Sequence, residues 1–174
     1  MNIKVETDKF GKTIKYMMFN GRHHFPAYPP SVLDQIKSVS MRPDDVFCPA
    51  FPRTGTHWTF EMVGMLLNGT ADTIPTYKEK IQLEFTKNDE LSSLPSRRII
   101  NTHFQLSRAP TQLREKKCKI IYNLRDPKDV AVSLYCLYMD IGVTGYQGTF
   151  KDFLELFDNE KVECNRRSPA PYRS

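Results

Sequence analysis

A turn of small residues between an apolar run and an amphipathic segment is the feature of this sequence best suited to chemistry. Residues 45–51 form the apolar run, residues 52–56 (Pro-Arg-Thr-Gly-Thr) form the turn, and apolar residues recur at helical spacing over 57–67. A strand–turn–helix of this kind gathers backbone N–H groups at the positive end of a helix dipole, where a phosphate binds. Gly55 permits close approach of the backbone, and Arg53 adds a forked cation. The pattern predicts an anion site, although the GxxxxGK[ST] signature of a Walker A loop is absent.

Two further segments place polar side chains directly after predicted strands. His103 follows residues 98–102, and Arg125 follows residues 119–123. An imidazole can take a proton from a hydroxyl near neutral pH, and Ser133, two turns into the next helix, could share a second phosphate with Arg125. Taken alone, residues 52–56 also fit an ordinary turn with capping threonines. The segment at Arg125 also fits a helix start with a salt bridge, and His103 also fits a structural histidine. Ligands bind at the carboxyl ends of parallel strands. The turn, His103 and Arg125 all lie at that edge of the predicted sheet, and this shared position favours a binding site.

Alternating strands and helices must position these residues. We predict buried or half-buried strands over residues 45–51, 98–102 and 119–123, and helices over residues 31–38, 57–67, 126–139 and 150–157. This alternation indicates an α/β fold with a P-loop-like parallel sheet flanked by helices. Residues 70–96 are expected to form loops with one short helix, and residues 163–174 to be disordered.

Composition narrows the classes of partner. The chain has 174 residues and a net charge of +5, which suits a phosphorylated ligand. Its basic residues alternate with acids and form no basic-aromatic patch, so we expect no nucleic-acid partner. The four cysteines form no CxxC pair and lie near no histidine at metal-ligand spacing, which argues against a metal site or a disulfide framework. With no long apolar run in its first twenty residues, the protein is expected to be cytoplasmic and independent of membranes.

Four ordered segments resemble the cytosolic sulfotransferases, whose donor is 3′-phosphoadenosine 5′-phosphosulfate (PAPS). They are residues 42–45 (RPDD), 51–58 (FPRTGTHW), 101–103 (NTH) and 125–133 (RDPKDVAVS). The resemblance implies transfer of a sulfuryl group from PAPS to a hydroxyl or amine of a small acceptor, such as a phenol, a steroid, an alcohol or an amine. It also implies three regions: an N-terminal extension (1–21), an incomplete sulfotransferase domain (22–162) and a tail (163–174).

The resemblance also implies a role for each site residue. His103 would be the general base, and Arg53 would stabilise the leaving phosphate without a metal. The loop would hold the 5′-phosphosulfate, Trp58 would stack on the adenine, and Arg125 and Ser133 would bind the 3′-phosphate. The full set of predicted donor-binding residues is Arg53, Thr54, Gly55, Thr56, His57, Trp58, Arg125 and Ser133.

Several departures from the family pattern leave alternatives open. Arg53 and Asn101 each stand where a lysine is usual, and His57 stands where a threonine is usual. A later Arg-Lys-Gly-rich segment of the family has no counterpart, so we expect a truncated domain. The chain could therefore be an inactive relative that at most binds the nucleotide weakly. A P-loop kinase is disfavoured, because the Walker A lysine and a carboxylate suited to Mg²⁺ after a strand are both missing.

Overall fold

The structure is a computed structural model that describes residues 3–159 and 161–162. Its strands are β1 (Ile3–Thr7), β2 (Thr13–Phe19), β3 (Arg22–His24), β4 (Val46–Pro49), β5 (Ile99–Thr102) and β6 (Lys119–Ile120). Its α-helices are α1 (Pro30–Leu33), α2 (Thr56–Asn68), α3 (Asn88–Ser93), α4 (Gln112–Glu115), α5 (Pro127–Asp140) and α6 (Phe150–Asp158). Three 3₁₀ helices cover Ile36–Ser38, Lys78–Ile81 and Leu106–Arg108.

The chain divides into two compact units. The core unit is Pro29–Arg125, and the terminal unit combines Met1–Tyr28 with Asp126–Ser174. The predicted division into residues 1–21, 22–162 and 163–174 stays a prediction, and residues 163–174 lie outside the described part of the chain. Each unit has its own sheet, and the two are described separately below.

A parallel three-stranded sheet forms the centre of the core unit. Its strand order is β5-β4-β6, with Val46 paired to Ile99 on one side and to Lys119 on the other. All four residues of β4 are buried, as its position between two neighbours requires. Helix α2 follows β4 and contacts β5. The predicted α/β fold with a parallel sheet and flanking helices is thereby confirmed.

Some elements of the core unit are shorter than the sequence pattern suggests. Strand β6 ends at Ile120, and its apolar continuation, Ile121 and Tyr122, is exposed. A parallel bridge between Ala50 and Asn123 continues the pairing beyond this gap. The helix predicted over residues 31–38 is broken into α1 and a 3₁₀ turn. Apolar content alone therefore overestimated the length of regular structure.

The terminal unit contains an antiparallel sheet of order β1-β2-β3. Helices α5 and α6 contact each other, and the buried ring of Phe153 packs against those of Tyr138 and Tyr146. Both helices begin at side-chain caps, since Asp126 accepts a hydrogen bond from Lys128 N and Thr149 accepts one from Asp152 N. None of the helices described is long and apolar enough to cross a membrane.

Candidate active site

The loop between β4 and α2 has the backbone of an anion site. Arg53 and Gly55 both adopt left-handed conformations, with φ of 68° and 96°. The Thr54 hydroxyl donates to the Phe51 carbonyl oxygen at 2.7 Å and tightens the turn. Thr56 then begins a helix of 13 residues whose first-turn amides have no intrahelical acceptors. These amides and the helix dipole make the loop suitable for a phosphate group.

Arg125 is bound to this loop. Its Nη1 atom donates to the carbonyl oxygen of Arg53 at 3.0 Å, and both guanidinium-bearing residues are exposed. Close by in the same unit, Asn123 Nδ2 donates to the Thr59 hydroxyl at 2.6 Å, which joins the end of the third predicted strand to α2. Arg53 in the turn and Arg125 bonded to it can therefore each make forked hydrogen bonds to a phosphate group.

His103 lies at the carboxyl end of β5 and is also bonded to the loop segment. Its Nδ1 atom is 3.0 Å from the carbonyl oxygen of Ala50, the residue just before the turn. Because a carbonyl oxygen can only accept, Nδ1 carries the proton, and Nε2 of the neutral ring carries the lone pair. Burial, followed by the charge of Lys78, lowers the pKa of His103 to about 4. The imidazole is therefore neutral at pH 7 and able to accept a proton at Nε2.

The residues that depart from the family pattern have distinct environments. His57 is exposed, and its Nε2 atom is 2.8 Å from Glu79 Oε1 on the 3₁₀ helix Lys78–Ile81. Asn101 is buried, with Nδ2 bonded to the Ile99 carbonyl and no hydrogen-bond partner for Oδ1 among the described residues. His57 thus joins the loop to a neighbouring segment, whereas Asn101 brings no cation to the site.

Within the core unit, the structure brings the predicted site residues of the loop, His103 and Arg125 together. The loop residues, His103 and Arg125 all belong to the core unit, where hydrogen bonds connect Ala50 to His103 and Arg53 to Arg125. Trp58 is 77% exposed on the first turn of α2. Ser133 lies half-buried on α5 in the terminal unit, and its part in nucleotide binding stays a prediction.

The sequence analysis missed a group of buried polar side chains near His103. Glu84 is fully buried, and its Oε1 atom accepts hydrogen bonds from the Thr102 hydroxyl and the His103 amide. Lys78 and Gln82 are also buried and bond to each other. The one signal in the sequence is that Glu84 stands between Leu83 and Phe85, where an apolar residue would be ordinary. Across residues 3–159 and 161–162, no cluster of His, Cys, Asp or Glu could hold a metal ion.

The depressed pKa of His103 predicts an acid-sensitive stability. The ring titrates near 6.5 in an unfolded chain and near 4 in the folded one, so between these values the unfolded state binds more protons. The free energy of unfolding should therefore fall as the pH drops from about 6.5 to about 4, by on the order of 3 kcal/mol in total.

Urea denaturation of the wild type and of His103→Asn at pH 7, 5.5 and 4.5 measures this effect. Burial raises the pKa of Glu84, and that shift acts with the opposite sign above pH 4.5. The quantity to compare is therefore the difference between the two proteins, in which Glu84 cancels to first order. Parallel pH curves for the two proteins would show that His103 does not resist protonation.

Comparison with known proteins agrees with this geometry. The family model for the sulfotransferase domain matches residues 43–167, a stretch that includes the loop, His103 and Arg125. This chain belongs to the cytosolic sulfotransferase family. Sulfotransferase 1A1 of Mus musculus is 34% identical over 145 residues, which are 78% of this chain and 50% of that protein. This sulfotransferase chain thus spans about half the length of the relatives that it matches.

Solved structures show the same fold. The crystal structure of mouse sulfotransferase SULT7A1 complexed with PAP, 3′-phosphoadenosine 5′-phosphate, has a TM-score of 0.67 and 31% identity to this chain. The match covers 82% of this chain and 50% of that one. A retinol dehydratase structure has a TM-score of 0.66 at 22% identity, covers 88% of this chain and 57% of its own, and supports the fold alone.

Proposed function

We propose that this sulfotransferase moves a sulfuryl group from PAPS to a hydroxyl or amine of a small acceptor. The observation that carries the proposal is the 3.0 Å hydrogen bond between His103 Nδ1 and the Ala50 carbonyl. It places a neutral imidazole beside the turn that is built to hold an anion. A proton acceptor next to a phosphate loop is the arrangement that group transfer to a hydroxyl needs.

The residues of the loop would supply electrostatic stabilisation and orientation. His103 Nε2 takes the acceptor's proton as the acceptor oxygen forms its bond to sulfur. The bond between sulfur and the 5′-phosphate oxygen breaks at the same centre, and Arg53 and the amides of α2 stabilise the charge left on that phosphate. The products are the sulfated acceptor and PAP. Sulfuryl transfer resembles phosphoryl transfer in depending on in-line approach and charge stabilisation.

The nucleotide would extend from the loop over exposed side chains. Trp58, at 77% exposure, offers an aromatic face on which the adenine can stack. Arg125, bonded to the Arg53 carbonyl, would bind the 3′-phosphate, and a second contact from Ser133 is proposed on the family resemblance alone. The solved complex of SULT7A1 with PAP supports a nucleotide of this kind as the ligand, since that protein is 31% identical to this chain. The proposal also includes a cytoplasmic location, a small acceptor with a hydroxyl or amine, and transfer without a metal.

A second candidate is a family member that binds the nucleotide without turning it over. The observation in its favour is Asn101, which is buried beside the catalytic histidine where the family usually has a lysine. The chain also spans only about half of the length of the relatives that it matches. A sulfotransfer assay separates the two candidates once nucleotide binding has been established.

Thermal unfolding with and without PAP tests the proposal. A ligand that binds only the folded state at 100 times its Kd adds about 2.7 kcal/mol, which raises the midpoint by roughly 5–10 °C. Arg125→Ala should weaken PAP binding about 10- to 150-fold, because it removes a charge-assisted hydrogen bond worth about 1.5–3 kcal/mol. Titration calorimetry of the wild type and the variant measures this loss directly.

The matched control is Arg114→Ala, which removes an exposed arginine from α4 of the same unit. It should bind PAP as the wild type does. No shift of the wild-type midpoint at millimolar PAP would mean that the donor site does not form in this chain. An equal loss of affinity in both variants would show that general positive charge, rather than the position of Arg125, attracts the nucleotide.

A further inference from the structure

A buried carboxylate anchors the backbone on which His103 is carried. Glu84 has no solvent exposure, and its Oε1 atom accepts from the Thr102 hydroxyl at 2.7 Å and from the His103 amide at 2.5 Å. The Thr102 hydroxyl in turn accepts from the Phe104 amide at 3.0 Å. Three successive residues at the end of β5, Thr102 to Phe104, are therefore held by one carboxylate, directly or through a single hydroxyl.

Two further polar side chains are buried in the segment that leads to Glu84. Lys78 is 4% exposed, and its Nζ atom donates to Gln82 Oε1 at 3.3 Å. The next residue, Leu83, donates its backbone amide to the Asn101 carbonyl at 3.0 Å. The residue before Glu84 is therefore bonded to β5, which places the carboxylate beside the end of that strand.

Burying these polar groups is unfavourable, and the hydrogen bonds of Glu84 hold the end of β5 in return. Burying a charge and a carboxylate oxygen without full hydrogen bonding is unfavourable, and Glu84 Oε2 has no partner among the described residues. The 3₁₀ helix that carries Lys78 packs against β5. At the carboxyl end of that strand, Glu84 fixes the Thr102 hydroxyl and the His103 amide.

We propose that Glu84, through its hydrogen bonds to Thr102 and His103, is a positioning residue that sets the orientation and the tautomer of the His103 ring. The main-chain anchor at Glu84 directs the ring so that Nδ1 reaches the Ala50 carbonyl, and Nε2 then faces away from that carbonyl with its lone pair. Glu84 acts through His103 and does not itself touch the acceptor. The catalytic meaning of this inference rests on the proposed sulfotransfer, whereas its structural content does not.

The test is the tautomer of His103 in Glu84→Met, which removes both acceptor oxygens, and in the variants Thr102→Val and Thr102→Ser. Long-range ¹H–¹⁵N spectra of histidine-labelled protein report which ring nitrogen carries the proton, and His103→Asn identifies the resonance. The wild type should show a single Nδ1–H tautomer. Glu84→Met and Thr102→Val should give a mixture of tautomers, whereas Thr102→Ser, which keeps the hydroxyl, should match the wild type. Glu90→Met, the same change at an exposed position of α3, is the control.

Turnover gives a second measurement. In Glu84→Met and Thr102→Val we expect kcat to fall tenfold or more while the Kd for PAP stays within twofold, because a misplaced base slows the reaction without touching the donor site. A single Nδ1–H tautomer with unchanged kcat in both variants would overturn the inference. If Glu84→Met fails to fold, the Thr102→Val and Thr102→Ser pair decides alone. If the wild type binds no PAP or shows no turnover, the tautomers still decide whether Glu84 positions His103, while the proposed function fails separately.

Discussion

Replacing Asp45 by Asn is expected to lower the free energy of unfolding by about 3–5 kcal/mol. Asp45 and Arg98 form an ion pair whose side chains are 0% and 1% exposed. Arg98 Nε donates to Asp45 Oδ1 at 2.8 Å and Nη2 donates to Oδ2 at 2.6 Å, a two-pronged contact. Removing the carboxylate's charge leaves a buried guanidinium without its counter-ion, which costs far more than the loss of a surface pair. A loss of this size is a large fraction of a typical domain's stability.

Urea denaturation of Asp45→Asn and of its neighbour Asp44→Asn measures the effect. Asp44 is exposed, so the same substitution one residue away should change stability by less than about 0.5 kcal/mol. A further variant, Asp45→Asn with Arg98→Met, should lose less than the sum of the single changes, since it removes the unpaired charge. A loss below about 1 kcal/mol for Asp45→Asn alone would show that the pair contributes little.

Within the core unit, this ion pair and the candidate active site lie at opposite ends of the same strands. Val46 N donates to the Arg98 carbonyl, so the pair clamps the amino ends of β4 and β5. The loop, His103 and the end of the Ala50–Asn123 bridge lie at the opposite, carboxyl ends of the same strands. Asp45→Asn should therefore reduce the folded fraction without changing the Kd for PAP of the molecules that remain folded.

The elements around the loop could be predicted because local signals there agree. Small residues follow an apolar run, helical spacing follows the turn, and Gly69 ends the helix in a left-handed conformation, as its type favours. Asp126 and Pro127 likewise predict the start of α5, where Asp126 caps the helix and Pro127 is its first residue. At these positions propensity, capping and hydrophobic pattern all indicate the same structure.

The N-terminal strands could not be predicted, because their pattern is that of a sheet with one solvated face. In β1 only Glu6 is partly buried, and in β2 the exposed polar residues Thr13 and Lys15 alternate with the buried Ile14 and Tyr16. The pairing of β1 with β2 depends on the turn between them, in which Asp8 accepts from the amides of Phe10 and Lys12. When the turn at Asp8 is not recognised, the mixture of charged and apolar residues in this part of the sequence indicates only a polar segment.

The environment of His103 could not be predicted from the sequence because residues distant along the chain form it. Its bonding partners, Ala50 and Glu84, lie 53 and 19 residues away along the chain. The apolar neighbours of Glu84 are a weak sign of burial, since burial of a charge depends on partners that only the fold supplies. The sequence could identify the histidine as a candidate base but could not show its tautomer or its lowered pKa.

Replacing His103 by Asn is expected to lower kcat for sulfotransfer by about 10²–10⁴-fold, the range that a general base contributes. The amide nitrogen of Asn can take the place of Nδ1 near the Ala50 carbonyl, but nothing replaces the lone pair of Nε2. The donor site should be unaffected, so the Kd for PAP should stay within twofold of the wild type. Because the pKa of His103 is about 4, the wild-type rate should also be nearly independent of pH between about 6 and 8 as far as this base is concerned.

Steady-state assays with a small phenol as acceptor and calorimetry with PAP separate the possible roles of this residue. His23→Asn on β3 is the control, since it makes the same chemical change in the terminal unit. A fall in kcat with intact PAP binding supports the role of a base. A kcat within threefold of the wild type would reject it, and a loss of PAP binding would show that the ring shapes the loop instead. The distinction matters because the bond to Ala50 joins the base and the loop, so only the two measurements together can tell proton transfer from loop support.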